Sequence, residues 1–363
     1  MPRKRNQGQS RFRAYTGKST RRTLGILAVL ALILAQSFLQ PQGEAASLNE
    51  VSAAAKKEGT IDFYASSTLT PQGAKALEEA FNKKYGVGIT VRFTGAGSMI
   101  RDVARVVTEL STGARPTWDL MLVTDAHYAT LIGNDAVETF DYPRTFGLDP
   151  KVLFFDGKAI AFATQFVAPA YNTKLLKPAD APKTWNDLLN PKWKGKMGIS
   201  TATHHWARLA QEWGEKKTDE FVKKLMELNP SRGNVGTVYT RLELGETLVA
   251  ASMSDSFVNE AKEKGAPVAF IENPDPIVAG QYMAAALKGA AHPNAARLMA
   301  YFLITPEAQK LWEKYQGQTS MFIPGTPAFA FAQKHRVLVA TDKFAREKLD
   351  ELTEKYGKMI GLR

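Results

Sequence analysis

Strand-like and helix-like runs alternate along this chain from residue 48 onward, and that alternation limits the fold more than any other feature. Residues 47–50 (SLNE) carry a capping-box pattern that predicts a helix closing near Gly59. Residues 60–65 (TIDFYA) alternate as a strand does. Pro71 opens a helix that runs to Tyr85 and stops at Gly86. A second strand follows at 89–93, and residues 98–111 place Met99, Val103, Val106, Val107 and Leu110 at helical spacing. Residues 118–123 (WDLMLV) read as a short, mostly apolar strand of the buried kind. Such a succession predicts an α/β fold with a largely parallel sheet.

The second half continues in this style without repeating sequence. Strands are predicted at 196–200, 248–253 and 267–271, and helices at 203–213, 219–228, 257–264, 294–303 and 306–315. A charged amphipathic helix is predicted at 343–359. A length of 363 residues fits two domains, and 44% apolar residues suffice for a sizeable core. There is no cysteine. Disulfides, thiolate metal sites, cysteine nucleophiles and a lipid-anchored cysteine are therefore excluded.

The first 45 residues read as an export signal. Arg3, Lys4, Arg5, Arg11, Arg13, Lys18, Arg21 and Arg22 form a basic stretch before an apolar run at 24–35, which is short for a membrane span. Gly43 and Ala45 place small residues where a signal peptidase cuts, so cleavage is expected near Ala45. The Arg21-Arg22 pair permits twin-arginine export, although Gly25 stands where that motif prefers a large apolar residue. This segment also explains the formal charge of +11. It holds eight of the 47 Lys/Arg and one of the 36 acids, which leaves 39 against 35, a net of +4. The remaining basic residues are scattered, as in Lys216-Lys217 and Lys223-Lys224, so no nucleic-acid footprint is present.

In α/β sheets ligands bind beyond the carboxyl ends of strands. The loops there are polar: Ser66-Ser67-Thr68, Thr94 to Gly97-Ser98, Thr124-Asp125, Ser200-Thr201-Ala202-Thr203 and Ser254-Asp255-Ser256. Hydroxyls and free N–H groups at a helix start suit an anionic group. Plain N-capping uses the same residue types. His204-His205 point about 100° apart on a helix and do not chelate one ion together. His127 beside Asp125 is a weaker metal candidate, and Tyr239 and Arg241 read as surface packing.

No G-x-S-x-G elbow, Walker loop or H-E-x-x-H pair is present, and Gly95-Ala96-Gly97-Ser98 lacks dinucleotide spacing. An enzyme is not expected, and no motif calls for a cofactor.

Three co-linear stretches carry a resemblance. Residues 182–199 (PKTWNDLLNPKWKGKMGI) set Trp185 and Trp193 around an Asn190-Pro191 break; standing alone, that pattern would mean local packing. Residues 170–175 (AYNTKL) before it and 292–309 (HPNAARLMAYFLITPEAQ) after it match in order. Together they closely resemble the periplasmic solute-binding proteins of bacterial ABC importers, in the branch that includes ferric-iron binders. The resemblance covers roughly residues 48 to 315.

It implies a two-lobed periplasmic-binding-protein-like fold of type 2, each lobe a mixed sheet flanked by helices, joined by a two-strand hinge. The first lobe would take residues 46–164 and 275–363, the second 165–274. The ligand would lie in the cleft, the protein would act as a monomer, and a separate membrane permease would be its partner. In ferric members a histidine, a carboxylate and a tyrosine pair hold the metal. Here Ser66-Ser67-Thr68 carries no histidine, Asp125 falls at the acidic position, and Asp255-Ser256 stands where the tyrosines would be. The resemblance therefore implies a small anionic or phosphorylated organic solute. Ser66, Ser67, Thr68, Gly97, Ser98, Thr201, Thr203 and Ser254 would surround it, and Asp125 and Asp255 would accept hydrogen bonds or pair with an amine. The alternative is ferric iron, or an iron chelate, on an atypical set that includes Asp125 and Asp255.

Overall fold

The computed structural model describes residues 46–362, and Ser47 caps its first helix. Its hydroxyl accepts the Glu50 N–H, and the Glu50 carboxylate accepts the Ser47 N–H at 2.7 Å, so the expected capping box starts helix α1 (Leu48–Glu58). The expected export signal, residues 1–45, lies outside the described residues.

Strand β1 (Thr60–Ser66), helix α2 (Thr70–Tyr85), strand β2 (Thr90–Ala96) and helix α3 (Met99–Ser111) follow as the pattern predicts. The expected strand at 118–123 is instead two pieces, β3 (Leu120–Met121) and β4 (Val123–Thr124). β3 pairs parallel with β1, completing a sheet of order β2-β1-β3. Leu122 breaks the strand, and β4 joins a different sheet. A mostly apolar run can be buried in either sheet, so its pattern did not reveal the crossing. Helix α4 (Asp125–Gly133) starts directly from β4.

After a short helix α5 (Tyr142–Phe146) and strand β5 (Leu153–Phe154) comes β6 (Ala159–Asn172), a 14-residue strand buried at every position except Gln165. Then follow β7 (Met197–Ser200), α6 (His204–Trp213), α7 (Glu215–Glu227), β8 (Ser231–Gly233) and α8 (Val235–Leu244). Next are β9 (Val249–Ser254), α9 (Asp255–Lys264), β10 (Val268–Phe270) and β11 (Ile277–Ala284). The chain ends with α10 (Pro293–Phe302), α11 (Pro306–Gln316), α12 (Pro327–Ala332), β12 (Val337–Val339), α13 (Asp342–Glu347) and α14 (Leu349–Met359). The final helix, expected unbroken over 343–359, divides at Lys348. α13 packs on α4 while α14 packs on α6, so the two halves serve different partners.

The second sheet has the order β12-β11-β6-β9-β7-β8, with β4 added to β11 and β5 and β10 added to β6. β6 spans it. Its first part runs antiparallel to β11, from Ile160↔Ala284 to Val167↔Val278. Its last part pairs with β9 and β10, as in Tyr171↔Val249 and Asn172↔Val268. β6 and β11 are the longest strands, at 14 and 8 residues. Neither was legible as a strand, because β6 is buried on both faces and β11 is mostly buried, which blurs the two-residue alternation.

The three resemblance stretches prove to be joints. Trp185 is buried, donates its indole N–H to the Pro276 carbonyl at 2.9 Å, and meets the edges of Trp206 and Trp213. It thereby ties its loop to the start of β11. Asn172 ends β6, donating to the Leu242 carbonyl at 2.7 Å and accepting the Lys174 and Leu175 N–H groups. Buried Gln309 donates to the Phe162 carbonyl and accepts the Ser320 N–H, stitching α11 to β6.

Candidate ligand-binding cleft

Gln165 is the one partly exposed residue of β6, and it lies opposite Gly280 of β11. Side chains alternate along a strand, so Tyr282, two positions on from Gly280, shares that face. Gln165 and Tyr282 line the floor of a cleft of about 820 Å³. Ser66 and Thr68 line it from the end of β1, Ser256 and Glu260 from α9, and Tyr315 and Gln316 from the end of α11.

The wall at β1 is preorganised. Ser66 caps a short 3-10 turn at Ser67–Leu69, the Ser66 and Thr68 hydroxyls are 2.7 Å apart, and the Thr68 hydroxyl donates to Gln316 Oε1 at 2.8 Å. Thr70, which opens α2, sits at φ 60°. A β-branched residue rarely adopts that region, and such strain concentrates at functional sites.

Ser66 and Thr68 thus line the cleft, and Ser67 is exposed on the turn outside the lining. Gly97 and Ser98 lie at the start of α3, also outside the lining; the Ser98 hydroxyl accepts the Arg101 N–H and its own N–H goes to Asp102. The Thr201 N–H donates to the Gly233 carbonyl. Thr203 is buried and its hydroxyl donates to the Thr353 carbonyl at 2.7 Å. Ser254 is buried at the end of β9, with its hydroxyl 2.9 Å from that of Ser256.

The two acids part company. Asp125 is buried in an ion pair with Arg208 of α6, and the Ala126 N–H donates to the same oxygen at 3.0 Å. Asp255 is the first residue of α9, because that helix begins two residues before the expected start. Its Oδ1 accepts the Ser256 N–H at 3.0 Å, and no ion pair reaches it among the described residues. Burial pushes it up to about 7 despite these hydrogen bonds. It lines a side pocket of about 240 Å³ that shares Asn259, Glu313 and Gln318 with the cleft.

Burial, with the charges of Asp255 and Asp125, pushes Tyr282 up to about 12. Burial holds His127 and His204 below the usual imidazole range and His205 down to about 3. All three rings are therefore neutral near pH 7. His127 Nδ1 lies 2.8 Å from the Thr124 hydroxyl, and His205 Nδ1 lies 3.2 Å from the Ser252 hydroxyl.

Asp62, Asp119 and His292 lie close enough to share an ion. Asp62 already receives the Arg92 fork, and Asp119 bonds His292 Nδ1 at 2.7 Å. This cluster is internally paired and sits toward the strand starts, away from the cleft.

Sequence reasoning missed Gln165, Tyr282, Gln316 and Arg208. Thr164-Gln165 was the one available signal, a polar step inside the apolar run 159–171. The cleft offers hydroxyls, amides, two phenols, the Lys314 ammonium group and carboxylates, with no imidazole in its lining among the described residues. Such a surface holds a ligand by hydrogen bonds and charge.

This arrangement is that of a two-lobed binding protein. The iron-bound HitA of Pseudomonas aeruginosa superposes with a TM-score of 0.67 at 20% identity, over 84% of this chain and 99% of that one. The periplasmic binding protein AfuA of Actinobacillus pleuropneumoniae, with fructose-6-phosphate bound, gives 0.67 at 24% identity over the same shares. A protein of Haemophilus influenzae, itself uncharacterized, is 25% identical over 296 residues, 77% of this chain and 82% of its own length. Residues 76–337 match the model of the bacterial extracellular solute-binding proteins, and the chain belongs to that family.

Proposed function

We propose that the cleft captures a small anionic or phosphorylated organic solute and that the protein hands it, chemically unchanged, to the permease of an importer. The chain is the substrate-binding component of an ABC transporter. The observation that carries the ligand reading is that Ser66, Thr68, Ser256 and Lys314 line one cleft together with Gln165 and Tyr282. Hydroxyl donors and an ammonium group complement phosphate or carboxylate oxygens. The fructose-6-phosphate of AfuA is a ligand of that kind.

In this reading residues 46–164 and 275–363 form one lobe and 165–274 the other, with β6 and β11 as the hinge. A solute touching both lobes favours the closed form by its differential affinity, and the permease recognises the closed pair. The protein works as a monomer. Residues 1–45 are removed after export to the periplasm, by the general or the twin-arginine route, and the folded unit begins at Ala46.

One observation favours the iron alternative. Tyr282 brings a phenol within the field of both Asp125 and Asp255. Against it, Arg208 already occupies Asp125.

A thermal-shift panel on the stripped mature protein decides between them. It would hold sugar phosphates, phosphonates, carboxylates and Fe³⁺-citrate, each with and without a chelator. A ligand at ~100 times its Kd adds about 2.7 kcal/mol, a readily measured rise in Tm. A rise with a phosphorylated compound, indifferent to chelator, supports the anion reading. A rise confined to Fe³⁺ and abolished by chelator overturns it.

A further inference from the structure

The side pocket next to the cleft differs in chemistry from the hydroxyl wall. Phe166, Phe270 and Phe331 line it, with Asp255 and Glu313 as its charged groups, and no cation is in its lining. The Phe166 and Phe331 rings pack 4.7 Å apart. Asp255 is 8% exposed. Ser254, Ser256 and the Phe166 backbone hydrogen-bond to it, and no cation does.

A buried carboxylate ordinarily has a cationic partner. Asp125, the other buried acid of this region, has one in Arg208. Asp255 has a cavity where a partner would stand. Aromatic faces attract cations, and two carboxylates repel an anion. The cavity, of about 240 Å³, has room for one small substituent and opens toward the cleft through Asn259, Glu313 and Gln318.

We infer that this pocket receives an ammonium group, so that the solute is zwitterionic, with its anion at the Ser66–Thr68 wall and its cation at Asp255. This rests on the reading of the cleft as the solute site and adds the second charge. The titratable groups facing Asp255 are Glu313 in the pocket wall and Tyr282 on the floor, and His335 packs behind Phe331 at 4.3 Å. At neutral pH an arriving ammonium favours the Asp255 carboxylate, so binding releases a proton.

The test compares phosphoethanolamine with ethyl phosphate on the stripped mature protein by titration calorimetry. The two share a phosphate monoester and differ by the amine. The expected result is at least about tenfold tighter binding of phosphoethanolamine, with the preference reduced to about twofold or less in D255N and weakened in F331L. Repeating the titration near pH 7 in buffers of different ionisation enthalpy should show extra proton release with phosphoethanolamine, ethyl phosphate serving as the control for the phosphate's own titration. Equal affinity for both compounds overturns the ammonium pocket and leaves the anion reading intact. Binding of neither overturns this inference, and the sugar phosphates, phosphonates and carboxylates of the thermal-shift panel then decide the anion reading. A preference that survives D255N assigns the amine elsewhere and also overturns it.

Discussion

Arg208 of α6 donates through Nη2 to Asp125 Oδ1 at the start of α4, and the two side chains are 2% and 3% exposed. The guanidinium lies on Gly280 of β11, where an added Cβ would stand 3.4 Å from Nη2. The acid that sequence resemblance places at the ligand is thus held by a cation that packs on β11. Its own helix and α6 are joined through the pair.

Breaking that pair from one side should be costly. R208Q or D125N leaves a buried group without its counter-charge, and a loss of about 3–5 kcal/mol is expected. Replacing both by leucine removes the desolvation penalty together with the attraction and should recover much of the loss. Urea unfolding of the two single variants and the double variant measures this. Singles that cost under about 1 kcal/mol would contradict the buried pairing.

The Trp185 indole joins its loop to the Pro276 carbonyl at the start of β11. W185F keeps most of the apolar volume and orphans that carbonyl. The expected cost is about 1–3 kcal/mol in urea, with little change in solute affinity because Trp185 lies outside the cleft lining. A large affinity loss at unchanged stability would instead place this loop in the binding path.

Asp255 and His205 set opposite slopes in the pH profile. Asp255 is raised from the ordinary 3.8 to about 7 in the fold, so the native state holds a proton that the unfolded chain releases. Its stabilising contribution is full below pH 3.8, falls as pH rises toward about 7, and is constant above. His205 is depressed from 6.5 to about 3, so its contribution is full above pH 6.5 and falls as pH drops toward about 3. D255N should therefore steepen the rise of stability between pH 4 and 7, and H205Q should flatten it. Urea titrations of the three proteins at stepped pH check both signs.

The element order was legible where burial is one-sided. β1, β2, α2 and α3 alternate or recur in register with their exposed faces, and the sequence shows them within a residue or three. β6 and β11 were not legible, since β6 is buried on both faces and β11 shows only Gly280 and Tyr282 partly exposed, too little to give a period. For the site, chemistry was readable and partners were not. Ser66 and Thr68 announce themselves as hydroxyls after a strand. Whether Asp125 faces solute or Arg208 depends on a contact 83 residues away in sequence, which no local pattern encodes.

Solute affinity should follow the lining of the cleft rather than the sequence of the first loop. Ser66 and Ser256 line the cleft from different elements, whereas Ser67, between Ser66 and Thr68, is exposed and outside the lining. S66A and S256A each remove one donor, and losses of about 0.5–1.5 kcal/mol, or about two- to tenfold in Kd, are expected. S67A should change Kd by less than about twofold. Q165A should weaken binding and also reduce the compaction seen by small-angle scattering on solute addition, because Gln165 sits on the floor between the two walls. Equal effects of S66A and S67A would mean that the loop, and not the cleft lining, defines the contact surface.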